Sequence, residues 1–365
     1  MNKITLIESL NKIKKNSGEE LNEIDWEGSF SDVNKTCPKP EDVVAYLNSV
    51  RANAFIDYGE RAKFERGKPY IHAKSTFFIK DKEFVDINYF IKKITEPPKS
   101  IINTNEKILN TGGSHEFVYK TGIPAFRGIA YDIEKKQFFF INTCPGAGSC
   151  VNICYALKGE YIHYPAAYDS LTKRLNYLLN FPDKYEEQMY QELKTKCKFH
   201  KALKGYRSKV SVRWNDAGDF FTKKYITIAK NVIHRLSDEG YNITDYAYTK
   251  VAAVANDPDF PLARFSDGAN KKETGQIDFN KKNVSQVIPK ELFDDLDLKR
   301  INDLEMLRKR ISNKYQININ DILTYDQILK TPISKTRKYS VIVTPGDGDD
   351  AAIRPDVKNV MLTAH

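Results

Sequence analysis

Three of the chain's five cysteines, Cys144, Cys150 and Cys154, fall in the stretch NTCPGAGSCVNICYALKGEY, directly after the apolar run KKQFFFIN. The spacing Cys-x5-Cys-x3-Cys puts three soft ligands on one short loop, where Pro145, Gly146 and Gly148 permit sharp turns. Three thiolates can hold three corners of a [4Fe-4S] cluster and leave the fourth iron open to a small molecule. A structural zinc site needs a fourth ligand, for which Cys197 and His200 in CKFH, or His163, are the available side chains. A redox or purely structural thiol cluster is a third reading; ligand count and softness favour iron–sulfur. Cys37, alone in KTCPKPED, reads as structural or incidental.

A second concentration of reactive types is RWNDAGDFF. Arg213, Asn215, Asp216, Gly218 and Asp219 follow one another at the end of a predicted strand. The acids and the amide suit the amino group or ribose of a bound adenosyl cofactor, Arg213 suits its carboxylate, and Gly218 allows close backbone approach. The alternative is a turn in which Asp219 caps a following helix. Lys250, after YAYT, suits a phosphate or carboxylate contact, or acid–base work if buried. Asp219 and Lys250 are thus the candidate catalytic residues. Ser266 and Asp267, in ARFSDG, suit substrate hydroxyls, although SDG also reads as an ordinary turn. GDGDD at 346–350 lacks the twelve-residue loop and terminal glutamate of an EF-hand, and reads as a turn between strands. There is no GxxxxGK[ST] loop, no GxGxxG after a strand, no GxSxG elbow and no His-x-His pair.

The elements that must carry these residues are legible from periodicity. From about residue 125 strands and helices alternate, the pattern of a parallel sheet or barrel covered by helices. FRGIAYDIEKKQFFFIN is strand material, possibly a hairpin, that runs into the cysteines. Tyr168, Leu171, Leu175, Leu178 and Leu179 mark a helix stripe. KVSVRWN, YNITDYAYT, PLARFS and NVSQVIP read as successive strands, with helices predicted over 225–236 and 299–313 and terminal strands in YSVIVTP and VKNVMLT. Loops at the carboxyl ends of parallel strands share one rim, so the cysteines, Asp216 to Asp219, Lys250 and Ser266 are expected to meet there. Residues 1–120 read as an accessory α+β region, with helices in ITLIESLNKIKK and DVVAYLNSVRANAFI and strand material from Tyr70 to Ile94; residues 121–365 form the main domain.

Composition narrows the class. With 365 residues, 41% hydrophobic and 29% charged, the chain suits a globular protein of one large or two smaller domains. No run is apolar enough to span a membrane and the amino terminus carries acids, unlike a signal peptide, so a cytoplasmic protein is expected. An odd, clustered set of cysteines fits a reducing compartment. The net charge of +9 is concentrated in Lys194, Lys196, Lys198, Lys201, Lys204, Arg207 and Lys209, with Phe199, His200 and Tyr206 interleaved. Such a run either contacts a nucleotide or nucleic-acid backbone, with aromatics stacking on bases, or is a solvated helix end and loop.

CPGAGSCVNICYA resembles the cysteine signature of the phage gene product 88 family, with its Cys-Pro-x-Ala start and Cys-Tyr-Ala ending. VRWNDAGDFFTKKYI, YAYTK and ARFSDG are similar to further segments of that family, together covering about residues 125–290. If phage-encoded, the protein works in the host cytoplasm. More distantly, a three-cysteine loop followed by β/α units is similar to radical S-adenosylmethionine enzymes, although the spacing differs from their CxxxCxxC. That resemblance implies a partial, TIM-like β/α barrel, a [4Fe-4S] cluster, S-adenosylmethionine and an external reductant; the basic run and the phage association point to a nucleotide or nucleic acid as substrate. The rival expectation is a non-enzymatic, zinc- or cluster-stabilised nucleic-acid-binding protein acting in phage replication or host takeover.

Overall fold

The β-branched and aromatic runs VSVRW, ITDYAYT, VSQVI and YSVIV all become strands of one parallel sheet, and helices form in the stretches between them. The computed structural model describes residues 35–50, 86–104, 117–157, 161, 165–202 and 209–363. The helix expected in ITLIESLNKIKK, His163, Lys204, Tyr206, Arg207 and most of the strand material expected from Tyr70 lie outside the described residues.

The described residues gather into two compact units. One takes its chain from 1–101, 122–190 and 215–232, the other from 102–121, 191–214 and 233–365. The chain crosses between the units five times, after residues 101, 121, 190, 214 and 232, so the units interleave along the sequence instead of dividing once near 120.

The second unit is built on an eight-stranded sheet: β2 (Phe117–Lys120), β5 (Val210–Trp214), β6 (Ile243–Thr249), β7 (Ala263–Ser266), β8 (Val284–Ile288), β9 (Ile322–Thr324), β10 (Tyr339–Val343) and β11 (Val357–Thr363). Its order is β2-β5-β6-β7-β8-β11-β10-β9, and every ladder is parallel. β2 and β9 are its ends, and no ladder joins them among the described residues, so the sheet is open. The class is mixed α/β, as the alternation implied. β10 is buried along its whole length, as expected where both faces of a parallel sheet are covered. β2, the short FVYK at one edge, carries too little pattern over four residues to mark a strand in the sequence.

The first unit holds a separate antiparallel sheet of β1 (Lys35–Thr36), β3 (Arg127–Asp132) and β4 (Gln137–Asn142), in the order β1-β4-β3. Asp132 shapes the β3–β4 turn: its Oδ1 accepts the amides of Glu134 and Lys135, both at 3.0 Å, while Lys136 takes a left-handed φ of 51°. Helix α1 covers residues 40–50, and α2 runs Ile87–Thr95. The latter corrects the strand reading at the end of Tyr70–Ile94. Asp86 caps the helix by accepting the amides of Asn88 and Tyr89, and Phe90 and Ile94, four apart, are its buried face. Helix α3 (Pro165–Asn180) buries the anticipated stripe of Tyr168, Leu171, Leu175, Leu178 and Leu179. Next come α4 (Pro182–Lys201) and α5 (Lys223–Asp238).

The free edge of β3 is closed by two asparagines of α3, one helical turn apart. Asn176 accepts from the Tyr131 amide at 2.7 Å and donates to the Ile129 carbonyl at 2.9 Å. Asn180 repeats the arrangement one step along, accepting from Ile133 at 3.1 Å and donating to Tyr131 at 3.0 Å. The helix thus supplies what a fourth strand would, and leaves no open ladder on that side.

Candidate metal centre and the segment beside it

β4 delivers the chain into the cysteine loop. This corrects the rim argument at its first step, because β4 belongs to the antiparallel sheet and not to the parallel one. The Asn142 side chain accepts the Cys144 amide at 3.1 Å, the Ala147 amide closes a turn onto the Cys144 carbonyl at 3.0 Å, and two 3-10 turns follow, Ser149–Ile153 and Tyr155–Leu157. Cys144, Cys150 and Cys154 are half-buried thiols. Cys144 and Cys154 pack against the unit's apolar cluster beside Val151 and Ala217. The Phe126 amide donates to Cys144 Sγ at 3.2 Å, from a residue with a left-handed φ of 63°. An amide aimed at a cysteine sulfur is the contact that stabilises a thiolate ligand.

These three thiols fit a soft-metal centre in kind, exposure and chain placement. Among the described residues no group of three or more His, Cys, Asp or Glu side chains is gathered into a ligand set, so binding requires the three side chains to turn toward one point.

The segment after β5 is bound to this loop within the same unit. The Asp219 amide donates to the Thr143 carbonyl at 2.8 Å, immediately before Cys144. The Tyr155 hydroxyl, immediately after Cys154, donates to the Asp216 carbonyl, and the Tyr161 hydroxyl donates to Asp216 Oδ2 at 2.8 Å. Tyr155 and Tyr161 meet edge to face with centroids 5.5 Å apart. Two glycines make the approach possible. A Cβ on Gly122 would lie 2.3 Å from Asp216 Oδ1, and Gly218 combines a φ of +77° with a Cβ position 2.5 Å from Ile123 Cγ1.

Asn215, Asp216 and Asp219 are all buried. Asn215 sits at a left-handed φ of 54°, accepts from the Tyr225 hydroxyl at 2.9 Å, and keeps a buried Nδ2 with no hydrogen-bond partner. Asp219 Oδ1 accepts the Phe220 amide at 2.8 Å. The residue capping α5 is Thr222, whose Oγ1 accepts from the Tyr225 amide at 3.1 Å. Asp219 is therefore not the helix cap that the alternative reading supposed.

Arg213, Lys250, Ser266 and Asp267 belong to the other unit. There β5, β6 and β7 are neighbours and parallel, so their carboxyl ends put these residues along one sheet edge. Arg213 is already engaged: it pairs with Asp349, which also accepts from the Tyr246 hydroxyl at 2.9 Å, and its guanidinium lies 5.3 Å from the Tyr248 ring centroid. Half-buried Lys250 directly follows β6. Ser266 ends β7, and Asp267 forms the exposed turn, accepting the Gly268 amide at 2.7 Å.

Sequence reasoning missed the acids and the arginine that hold this edge. GDGDD does form the connection from β10 to β11, as expected, but its Asp349 and Asp350 are buried. In ARFSDG the fully buried Arg264 donates to the carbonyls of Ala351, Ala352, Arg354, Val357 and Lys358, and burial pushes its pKa down to about 10. The signal was an arginine between apolar neighbours in a strand.

Of the side chains considered as zinc ligands, Cys197 is buried and His200 has other partners. Burial pushes the Cys197 thiol up to about 11. His200 stacks on Phe117 at 3.8 Å and shares a 2.8 Å hydrogen bond between Nε2 and the Tyr119 hydroxyl; burial, and then the Lys196 charge, lower its pKa. In the basic run, Lys194 pairs with Glu239 at 2.7 Å, while Lys198, Phe199 and Lys201 are exposed. No helix of the described residues is long and apolar enough to cross a membrane.

An open parallel α/β sheet in one unit, and in the other a three-cysteine loop that follows an antiparallel hairpin, define the class of protein. The family model for gene product 88 matches residues 99–319, and the chain belongs to that family. The match takes in the cysteine loop, the segment after β5, Lys250 and Ser266. No curated protein and no solved structure matches the chain.

Proposed function

We propose that this is an iron–sulfur enzyme of the host cytoplasm in which Cys144, Cys150 and Cys154 hold a [4Fe-4S] cluster, with radical-SAM-like chemistry on a nucleotide or nucleic acid. On this reading the open parallel sheet corresponds to the partial barrel of that superfamily. The supporting observation is the binding of the Asn215–Asp219 segment to both ends of the cysteine loop, through Thr143 and Tyr155. When bound and reduced, such a cluster supplies one electron to a sulfonium cosubstrate such as S-adenosylmethionine. The chain's part is to bind and orient: the unpartnered Asn215 amide donates to the cosubstrate, Asp216 and Asp219 receive its ammonium or ribose hydroxyls, and the apolar cluster behind the loop excludes water.

The test is formation of 5′-deoxyadenosine from S-adenosylmethionine by anaerobically reconstituted protein with dithionite. Formation that falls at least about tenfold in Asp219→Asn, with cluster content unchanged, is the expected result. The rival, a metal-stabilised nucleic-acid-binding protein, is favoured by exposed Phe199 among Lys198 and Lys201. It predicts no cleavage, together with nucleic-acid binding whose salt slope flattens when Lys196, Lys198 and Lys201 are neutralised.

A further inference from the structure

In the second unit the end of α4 and the edge strand β2 bring an aromatic group together with lysines. Phe117 and Tyr119, two apart on β2, hold half-buried rings on one face of the strand. His200 of α4 stacks on Phe117 with centroids 3.8 Å apart, and Phe199, 63% exposed, meets His200 edge to face at 5.1 Å. Lys196 Nζ lies 5.5 Å from the Tyr119 ring centroid and Lys201 Nζ 5.6 Å from that of Tyr241, while Lys198 and Lys201 are exposed. From Lys194 to Lys201 the helix carries no acid, and Glu239, two residues before Tyr241, pairs with Lys194 at 2.7 Å. Cations in the last turn also answer the negative pole of a helix. That accounts for the charge, but not for a phenylalanine left in water on the same turn.

We propose that this surface binds single-stranded nucleic acid, with a base stacked on Phe199 and the phosphates on Lys196, Lys198 and Lys201. Lysines alone suit any polyanion; the exposed ring selects among them. A stacking ring needs a base whose faces are open, which a single strand offers and a duplex withholds. Lys196 and Phe199 are three apart on α4, as are Lys198 and Lys201, so each pair shares a helix face and the ring is presented together with charge. A nucleic-acid partner is common to both readings of the function, and this surface rests on it; the cluster has no part in it.

The experiment is a fluorescence-anisotropy titration of the full-length protein, over a range of salt, with an oligothymidylate of about fifteen nucleotides, a duplex of the same length, and polyglutamate as an anion without bases. The parent should bind the single strand at least about fivefold tighter than the duplex, and tighter than polyglutamate. Phe199→Ala should weaken single-strand binding by at least about fivefold while the duplex affinity and the salt slope stay as they were. Replacing Lys198 and Lys201 by glutamine should instead reduce the slope for the single strand by about 0.7 for each lysine. Equal binding of single strand and duplex, or an unchanged single-strand affinity in Phe199→Ala, would overturn this assignment and leave the nucleic-acid partner standing. Polyglutamate bound best, or neither nucleic acid bound, would overturn both. The strand–duplex comparison uses the unaltered protein, so it decides the matter even if a variant does not fold.

Discussion

The Asp219 amide donates to the Thr143 carbonyl across 2.8 Å, so the backbone entering the cysteine loop and the backbone leaving β5 are held together one residue before Cys144. Gly218, next to Asp219, makes that contact possible: its φ is +77°, and any side chain would enter the space of Ile123. Gly218→Ala should therefore cost about 2–4 kcal/mol, combining left-handed strain with overpacking. Urea unfolding monitored by circular dichroism reads this directly. A loss below about 0.5 kcal/mol would mean that the segment is not held as described.

The asparagine pair on α3 replaces a missing strand. Asn176→Leu leaves the Tyr131 amide and the Ile129 carbonyl without side-chain partners under a helix, at a cost of about 1–3 kcal/mol for each group kept from water. Hydrogen exchange should show the Tyr131 amide losing protection in this variant while β10 and β11 keep theirs. Unchanged exchange at Tyr131 would contradict the edge-capping role.

Asp245 is a buried acid whose pKa burial raises to about 7, against the opposing hydrogen bond donated by Trp214 Nε1 at 2.7 Å. From roughly pH 4, where an unfolded aspartate titrates, to about pH 7 the folded protein retains a proton that the unfolded chain has released. Stability should accordingly fall as pH rises through that window and level off above it, by an amount on the order of a few kcal/mol. Asp245→Asn should remove this slope. A variant with the parent's pH dependence would place the titration elsewhere.

Much of the architecture was readable because burial imposes periodicity. The stripe from Tyr168 to Leu179 gave α3, and the apolar runs gave β5 to β8, β10 and β11 to within a few residues. What was not readable was pairing. FRGIAYD and QFFFIN look the same in a hairpin as in a parallel sheet, and only the ladder shows that the cysteines follow an antiparallel sheet. The link between the loop and Asp216 was equally hidden, since Tyr155 and Tyr161 carry no periodic signal and reach across more than fifty residues through single hydroxyls.

The central claim is that the three loop thiols hold an iron–sulfur cluster. Its most direct test is the iron and acid-labile sulfide content of anaerobically reconstituted protein, compared between the parent, single alanine variants at Cys144, Cys150 and Cys154, and Cys197→Ala. About four iron and four sulfide per chain are predicted for the parent and for Cys197→Ala, with both lost in each loop variant. Stoichiometric zinc without sulfide, lost when Cys197 is removed, or iron retained after the loop cysteines are replaced, would contradict it.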